Sequence, residues 1–410
     1  MIKGQLEQRL LVLVTLGLVA FGLVMVFSAT SASAALGAGD PMTFLGKQGA
    51  YAFTGLVLLA LASRFDYHRL RALAPILLLV ALGLCVAVLA IAPPINGARR
   101  WFLLGPFSVQ PSEVAKLALC VWVCAYLARK PTPRTLPQLM KPLGFVVGIF
   151  AVLIMLEPDL GTTIALGLMV AGILLVSAVP LRLFLLAGTI ACGLGAVAIY
   201  LEPYRRARFL SFLDPWQDPQ GTGFQTVQAI IGMGSGGITG EGLGHGIQKI
   251  FYLPEAHTDM IFAIVGEELG LIGSMLVICA FGVFAWAGFR IALQCRDPFG
   301  KRLAAGITTL VCGQAAVNLA AVLGIAPLTG IPLPFVSYGG SSLIVLLAAV
   351  GVLLNIAVND RVVAARGSHR GGRDRRARPA RARNSGSTSR ARREGDVRRQ
   401  PRPRRVAAGS

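Results

Sequence analysis

Apolar runs of about the length that crosses a bilayer as a helix alternate along this chain with short polar stretches. Ten are legible, at roughly 10–30, 44–62, 72–92, 112–128, 142–157, 160–179, 182–200, 260–290, 303–326 and 338–358. The pattern predicts an all-α polytopic membrane protein of about ten transmembrane helices over residues 1–360, with one large extracytoplasmic loop at 201–258. The fifth and sixth runs read either as two spans or as one unit broken around Pro158. The first ends in Ser31-Ala32-Ser33-Ala34-Ala35, which resembles a signal-peptidase site. Its apolar stretch is longer than a signal peptide's core, so it is expected to stay as a span.

Composition agrees, with 55% hydrophobic and 14% charged residues. An ordinary soluble domain carries about a quarter charged residues. Lysine and arginine in the short connections set orientation. With the N-terminus inside, fourteen fall on the cytoplasmic side (Arg64, Arg69, Arg129 and Lys130 among them) and seven outside, which places both termini in the cytoplasm. The net charge of +20 is concentrated at the end, where residues 361–410 hold seventeen arginines. That tail is predicted to be disordered and suited to anionic headgroups. No folded reader accompanies the charge, so nucleic acid is not expected as a partner. All seven cysteines lie in or at the ends of apolar runs, which fits packing better than disulfides or a zinc site.

The polar connections carry the candidate chemistry. Asp259 closes the large loop at the edge of a span, and Glu267 and Glu268 follow inside that span. Carboxylates at and within a membrane are costly and usually functional. His257, beside Asp259, reads as a ligand, an orienting group or a structural residue. The loop also contains Arg205, Arg206 and Arg208, suited to phosphate, and aromatic residues (Phe209, Phe212 and Trp216 among them) able to form a small core. Between Gly232 and Gly246, eight of fifteen residues are glycine. That run lacks the Lys-Ser/Thr ending of a P-loop, so no nucleotide is expected; it permits either close packing or an anion cradle. Glu113 and Lys116 stand three apart at a helix start, on one face, and read as a structural ion pair or a ligand-facing pair. Glu157 and Asp159 flank Pro158, as a cavity-lining break or a tight turn. Ser337 leads a hydroxyl-rich stretch before the last span, able to receive an anionic headgroup or to cap the helix.

Seven stretches carry a family likeness: NGARRW, QPSEVAKL, EPDLGT, RFLSFLDPWQDPQGTGFQ, GSGGITGEGLGHGIQK, YLPEAHTDMIFAIVGEELG and PLPFVSYGGSS. In this order they resemble the SEDS family (shape, elongation, division and sporulation) of integral-membrane glycosyltransferases of bacterial cell-wall synthesis. The wording of several is nearer the division branch than the elongation or sporulation branches. The resemblance implies polymerisation of lipid II outside the cytoplasmic (inner) membrane, at the division septum, with release of undecaprenyl pyrophosphate. It assigns the essential carboxylate to Asp259 and the shaping of the substrate site to Glu113 and Lys116. Glu157, Asp159, the three arginines, His257, Glu267 and Ser337 follow as weaker candidates for substrate contact. It further implies a divalent metal (Mg or Mn), a class B penicillin-binding protein transpeptidase as partner, and other divisome proteins. A lipid II flippase and a non-catalytic scaffold are the rival readings.

Overall fold

A computed structural model describes residues 5–35, 40–95, 97–105, 107–250, 253 and 256–376. The chain falls into two units, residues 1–364 and 365–410; the account below concerns the first. Three long helices open it: α1 (Gln5–Ala35), α2 (Pro41–Arg64) and α3 (Tyr67–Ile91). A hairpin of two three-residue strands follows, β1 (Phe102–Leu104) and β2 (Phe107–Val109), pairing Phe102 with Val109. Then come α4 (Pro111–Arg129), the single turn α5 (Leu136–Leu139), a π-helical turn (Met140–Gly144), α6 (Phe145–Leu156), α7 (Leu160–Val176) and α8 (Leu181–Leu201). Two short helices, α9 (Pro203–Leu213) and α10 (Phe224–Ser235), lie in the large loop. The bundle ends with α11 (Ile261–Gln294), α12 (Pro298–Val322) and α13 (Gly340–Arg376).

Nine of the described helices are long and apolar enough to cross a membrane, and the shorter α7 is the tenth apolar helix. The fifth and sixth runs are therefore separate helices. They part at Glu157 and Pro158, and Asp159 caps α7 by accepting from the Thr162 amide at 2.9 Å, a device worth ~1 kcal/mol. The strand pair is the one departure from an all-helical reading among the described residues; Gly105 turns it with φ +61°, a conformation glycine adopts without steric cost. At the far end the bounds of α13 run to Arg376. The rest of the predicted disordered tail, 377–410, lies outside the described residues.

Burial sorts the spans. In their most apolar stretches 72% of α4 and α13 and 67% of α12 are buried, against 6% of α8. Small residues bring the central helices together: a side chain at Gly172 of α7 would meet Thr309 of α12, and one at Gly306 would meet Cys120 of α4. Close backbone approach of this kind holds helices together where lipid offers no hydrophobic drive. Cys120 and Cys124 are buried there as free thiols, in the packing role anticipated.

Among the described residues of the large loop, the aromatics do not close into a core of their own. Phe209 and Trp216 remain exposed, and Phe251 and Tyr252 lie outside the described residues. The loop instead packs α10 against α11 through buried Thr226, Val227, Ala229 and Gly232. A short amphipathic segment gains more from a ready-made helical wall than from a handful of aromatics. The end of the bundle where this loop lies, here the loop end, also gathers the N-termini of α2, α4, α7, α11 and α13.

Candidate functional site at the loop end

Two polar clusters are built at the loop end. The first starts on α4. Pro111 opens the helix, its fixed φ suiting the first turn, and Glu113 and Lys116 project from one face. Lys116 Nζ donates to Glu113 Oε1 at 2.9 Å and to Gln314 Oε1 at 2.9 Å. Both charged groups are buried, yet Glu113 Oε2 has no hydrogen-bond partner among the described residues. Gln314 Nε2 donates to the Pro332 carbonyl at 3.2 Å. One turn along α12, Asn318 Nδ2 donates to the carbonyls of Asp259 at 2.7 Å and Ile331 at 2.8 Å. A continuous chain of contacts thus links the Glu113–Lys116 pair to the backbone of Asp259.

Asp259 itself is half-buried just before α11. Thr258 Oγ1 donates to its Oδ1 at 3.3 Å, and Gly330 lies beside Oδ2, close enough for an added Cβ to touch it. The His257 ring is boxed by Phe44 and Tyr338, with centroids 5.3 and 5.5 Å away, and its carbonyl accepts from the Tyr338 amide at 2.9 Å. His257 therefore belongs to the wall beside Asp259.

The turn between α6 and α7 joins this cluster from the side. Gln110 Nε2 donates to Asp159 Oδ2 at 3.1 Å and to Ser112 Oγ at 3.0 Å. Arg100 donates to the Glu157 carbonyl at 2.6 Å and the Pro158 carbonyl at 2.5 Å. The Glu157 carboxylate is fully buried, and among the described residues no side chain meets either oxygen in good hydrogen-bond geometry, with Ser112 nearby. Burial, with Asp159 adding like charge, pushes its carboxyl up to about 8, and Arg100 and Ser112 offset only part of that. Glu157 and Asp159 thus stay candidates, with Asp159 already engaged as a helix cap.

Other candidates have structural employment. Arg205 donates to the carbonyls of Met155 at 2.9 Å and Ala198 at 3.3 Å, and Arg206 sits over the Tyr200 ring at 5.9 Å. These two anchor α9 to the ends of α6 and α8; Arg208 shares that helix. Ser337 Oγ accepts from the Leu333 amide at 2.8 Å, and its carbonyl accepts from Gln48 at 3.2 Å, so it caps the turn before α13.

The second cluster explains Glu267. Its carboxylate accepts from the amides of Ile247 at 2.6 Å and Gln248 at 3.0 Å. The neighbouring Glu268 accepts from Lys249 Nζ at 2.6 Å and from Ser28 Oγ at 2.8 and 2.6 Å. The glycine run packs here: a side chain on Gly236 or Gly240 would meet backbone of α11. Of the two readings left open for that run, close packing is the one with a contact behind it. Ser28, Gln314 and Asn318 were passed over in the sequence. Their signal was present, since each is a polar group inside an apolar run.

The described residues bring together no three His, Cys, Asp or Glu side chains able to hold a metal. A protein-built divalent cage does not fit this donor set.

The chain has counterparts. The Cell cycle protein family, which spans FtsW, RodA and SpoVE, matches residues 8–362. The chain belongs to this family. It is 41% identical over 350 residues to the probable peptidoglycan glycosyltransferase FtsW of Geobacter sulfurreducens, covering 85% of this chain and 94% of that relative. Stage V sporulation protein E of Bacillus subtilis is 41% identical over 354 residues, covering 85% and 96%. A solved chain from work on structural coordination of polymerization and crosslinking by a peptidoglycan synthase complex superposes with TM-score 0.71 at 32% identity, covering 85% of this chain and 97% of that one. RodA of Thermus thermophilus superposes with TM-score 0.64 at 29% identity, covering 85% and 96%.

Proposed function

We propose that this protein is a peptidoglycan glycosyltransferase that polymerises lipid II at the loop end of its bundle. The observation that carries the reading is Asp259: a half-buried carboxylate at the start of α11, its backbone held by Asn318 and bonded in series with the Glu113–Lys116 pair. The relatives named as peptidoglycan glycosyltransferases support the activity.

In the proposed step the GlcNAc 4-hydroxyl of one chain attacks C1 of the other's MurNAc. Asp259 takes the hydroxyl proton, the C1–oxygen bond to pyrophosphate breaks, and undecaprenyl pyrophosphate leaves with the bonding pair. A positioned carboxylate base contributes ~10²–10⁴-fold to such a transfer. A single displacement inverts C1. Glu113 Oε2, unpartnered among the described residues, is proposed as the acceptor for a substrate hydroxyl. Helix N-termini gathered at this end favour the leaving anion. A divalent ion is proposed to arrive with the pyrophosphate, as magnesium characteristically does.

The proposal extends to placement and partners. The loop end faces outward from the cytoplasmic membrane, with both termini inside, and the protein acts at the division septum. Its partner is a class B penicillin-binding protein transpeptidase among other divisome proteins, a pairing supported by the synthase-complex neighbour. The arginine-rich tail lies on anionic headgroups.

The test is polymerisation of purified lipid II with Mg²⁺ or Mn²⁺, in complex with a transpeptidase whose active-site serine is disabled. Wild type should yield glycan, and Asp259→Ala should lose at least ~100-fold in rate at equal folding and partner binding. Glycan from both would remove Asp259 as the base; none from either would favour a flippase or a scaffold.

A further inference from the structure

The proposed reaction leaves the Lys249–Glu268 pair without a part, although both side chains are almost fully buried. Its position gives it one. Helix α11 is not continuous: Gly270 stands inside it at φ +63°, ψ −158°, so 261–269 forms a stub separate from 271–294. The long part of α11 cannot dictate where that stub points. The loop does so instead, by completing the backbone bonds that the break leaves open. The amides of Glu241 and Gly242 donate to the carbonyls of Glu267 and Glu268, both at 3.0 Å. The amides of Leu271 and Ile272 donate to Gly237 and Ile238 at 3.0 and 3.2 Å. Gly240, at φ +81°, lies so close to the Glu268 carbonyl that no side chain fits.

Side chains then fasten the arrangement. Ile247 and Gln248 grip the Glu267 carboxylate. Lys249 from the loop and Ser28 from α1 grip Glu268, with Lys249 also 3.3 Å from Ser28 Oγ. Three separate parts of the chain therefore meet at the inner end of the stub, and Asp259 stands at its other end.

We propose that Lys249, Glu268 and Ser28 are positioning residues for Asp259, a buried lock through which the large loop sets the placement of the base. This rests on the reading of Asp259 given above. Nine residues of helical rise put Asp259 ~13 Å from Glu268. A tilt of ~10° at the lock would therefore move the carboxylate ~2 Å over that length. A displacement of ~1 Å can cost ~10²-fold in rate. An ion pair suits the task because its hydrogen bonds select one geometry, whereas its net stabilisation over apolar side chains of equal volume is small.

The experiment follows kcat, KM for lipid II and thermal melting of the full chain in complex with the serine-disabled transpeptidase. Four variants are compared with wild type: Ser28→Ala, Lys249→Met, Glu268→Gln, and the paired Lys249→Met/Glu268→Met. The paired variant removes both charges together, so it is expected to fold and melt near wild type. Its kcat should nevertheless fall ~10-fold or more with KM within ~2-fold, and Ser28→Ala should lose ~3-fold in kcat. A paired variant with wild-type melting and wild-type kcat would overturn the proposal and leave the pair as packing. So would kcat losses that track melting temperature across all four variants. Absence of polymer from wild type would instead strike the underlying reading of Asp259, which the wild-type arm detects on its own.

Discussion

The loop end holds two buried lysine–glutamate pairs that look alike in a list of contacts and differ in one oxygen. Lys249 meets Glu268 at 2.6 Å, and Ser28 fills the rest of the carboxylate, so both oxygens are bonded. Lys116 meets Glu113 at 2.9 Å and Gln314 at 2.9 Å, but Glu113 Oε2 has no partner. A buried acceptor left unmet costs ~1–3 kcal/mol. A finished pair holds parts of the protein together; on the proposed reading, the unfinished one keeps an acceptor for the substrate. The supports differ as well. Glu113 stands in the first turn of α4, one of the most buried spans, whereas Glu268 stands beside the break in α11 and depends on the loop for its surroundings.

The strongest way to break this contrast is to remove a lysine. Lys116→Met should strand the Glu113 carboxylate in a dry site, lose ~3–5 kcal/mol and abolish polymerisation, as read by melting and lipid II turnover. Next comes a comparison of the two acids. Glu268→Gln forfeits charge-assisted bonds on both oxygens and should destabilise by ~2 kcal/mol. Glu113→Gln keeps an acceptor for Lys116 but removes its counter-charge, and its other position has no partner to lose among the described residues, so it should destabilise less than Glu268→Gln while KM for lipid II rises. Equal destabilisation of the two variants would erase the distinction.

A smaller effect is expected at the joint between the first cluster and Asp259. Asn318→Ala removes the donor shared by the Asp259 and Ile331 carbonyls. It should cost ~1–2 kcal/mol and lower kcat more than it raises KM.

A separate, pH-dependent effect concerns Glu157. Its carboxyl is raised by burial to about 8 from an ordinary value of 4.5, so the folded protein binds this proton more tightly than the unfolded chain. The associated stability is complete below pH 4.5 and declines as pH rises toward about 8. Glu157→Gln should flatten that part of the melting-temperature profile between pH 5 and 8. A variant profile parallel to wild type would show that Glu157 is ionised throughout.

Much of this was legible beforehand. The spans were visible because a bilayer tolerates only long apolar helices, and Asp259, Glu113 and Lys116 stood out as charges where charge is costly. The reading of the large loop as self-supporting failed at Phe209 and Trp216, which are exposed, because aromatic content does not say what a loop packs against. Charge makes Arg205 one of three arginines suited to phosphate. It is occupied by the carbonyls of Met155 and Ala198, since a helix that leaves a membrane span must satisfy its last backbone acceptors. Gln314 and Asn318 could have been found by asking which polar residues inside apolar runs stand a helical turn apart.

Sequence alone determined the span count, the site of the large loop and the few residues able to do chemistry, because each follows from local composition judged against the solvent. Tertiary structure alone decided which of those residues are engaged and which are left open. The deciding contacts join positions far apart in the chain, Lys116 to Gln314 across 198 residues and Ser28 to Glu268 across 240. Apolar residues surround the spans on every side, so periodicity does not disclose which face of a span meets which neighbour. Packing makes that choice, and with it joins Glu268 to Lys249 and Ser28 while leaving Glu113 Oε2 unpartnered among the described residues.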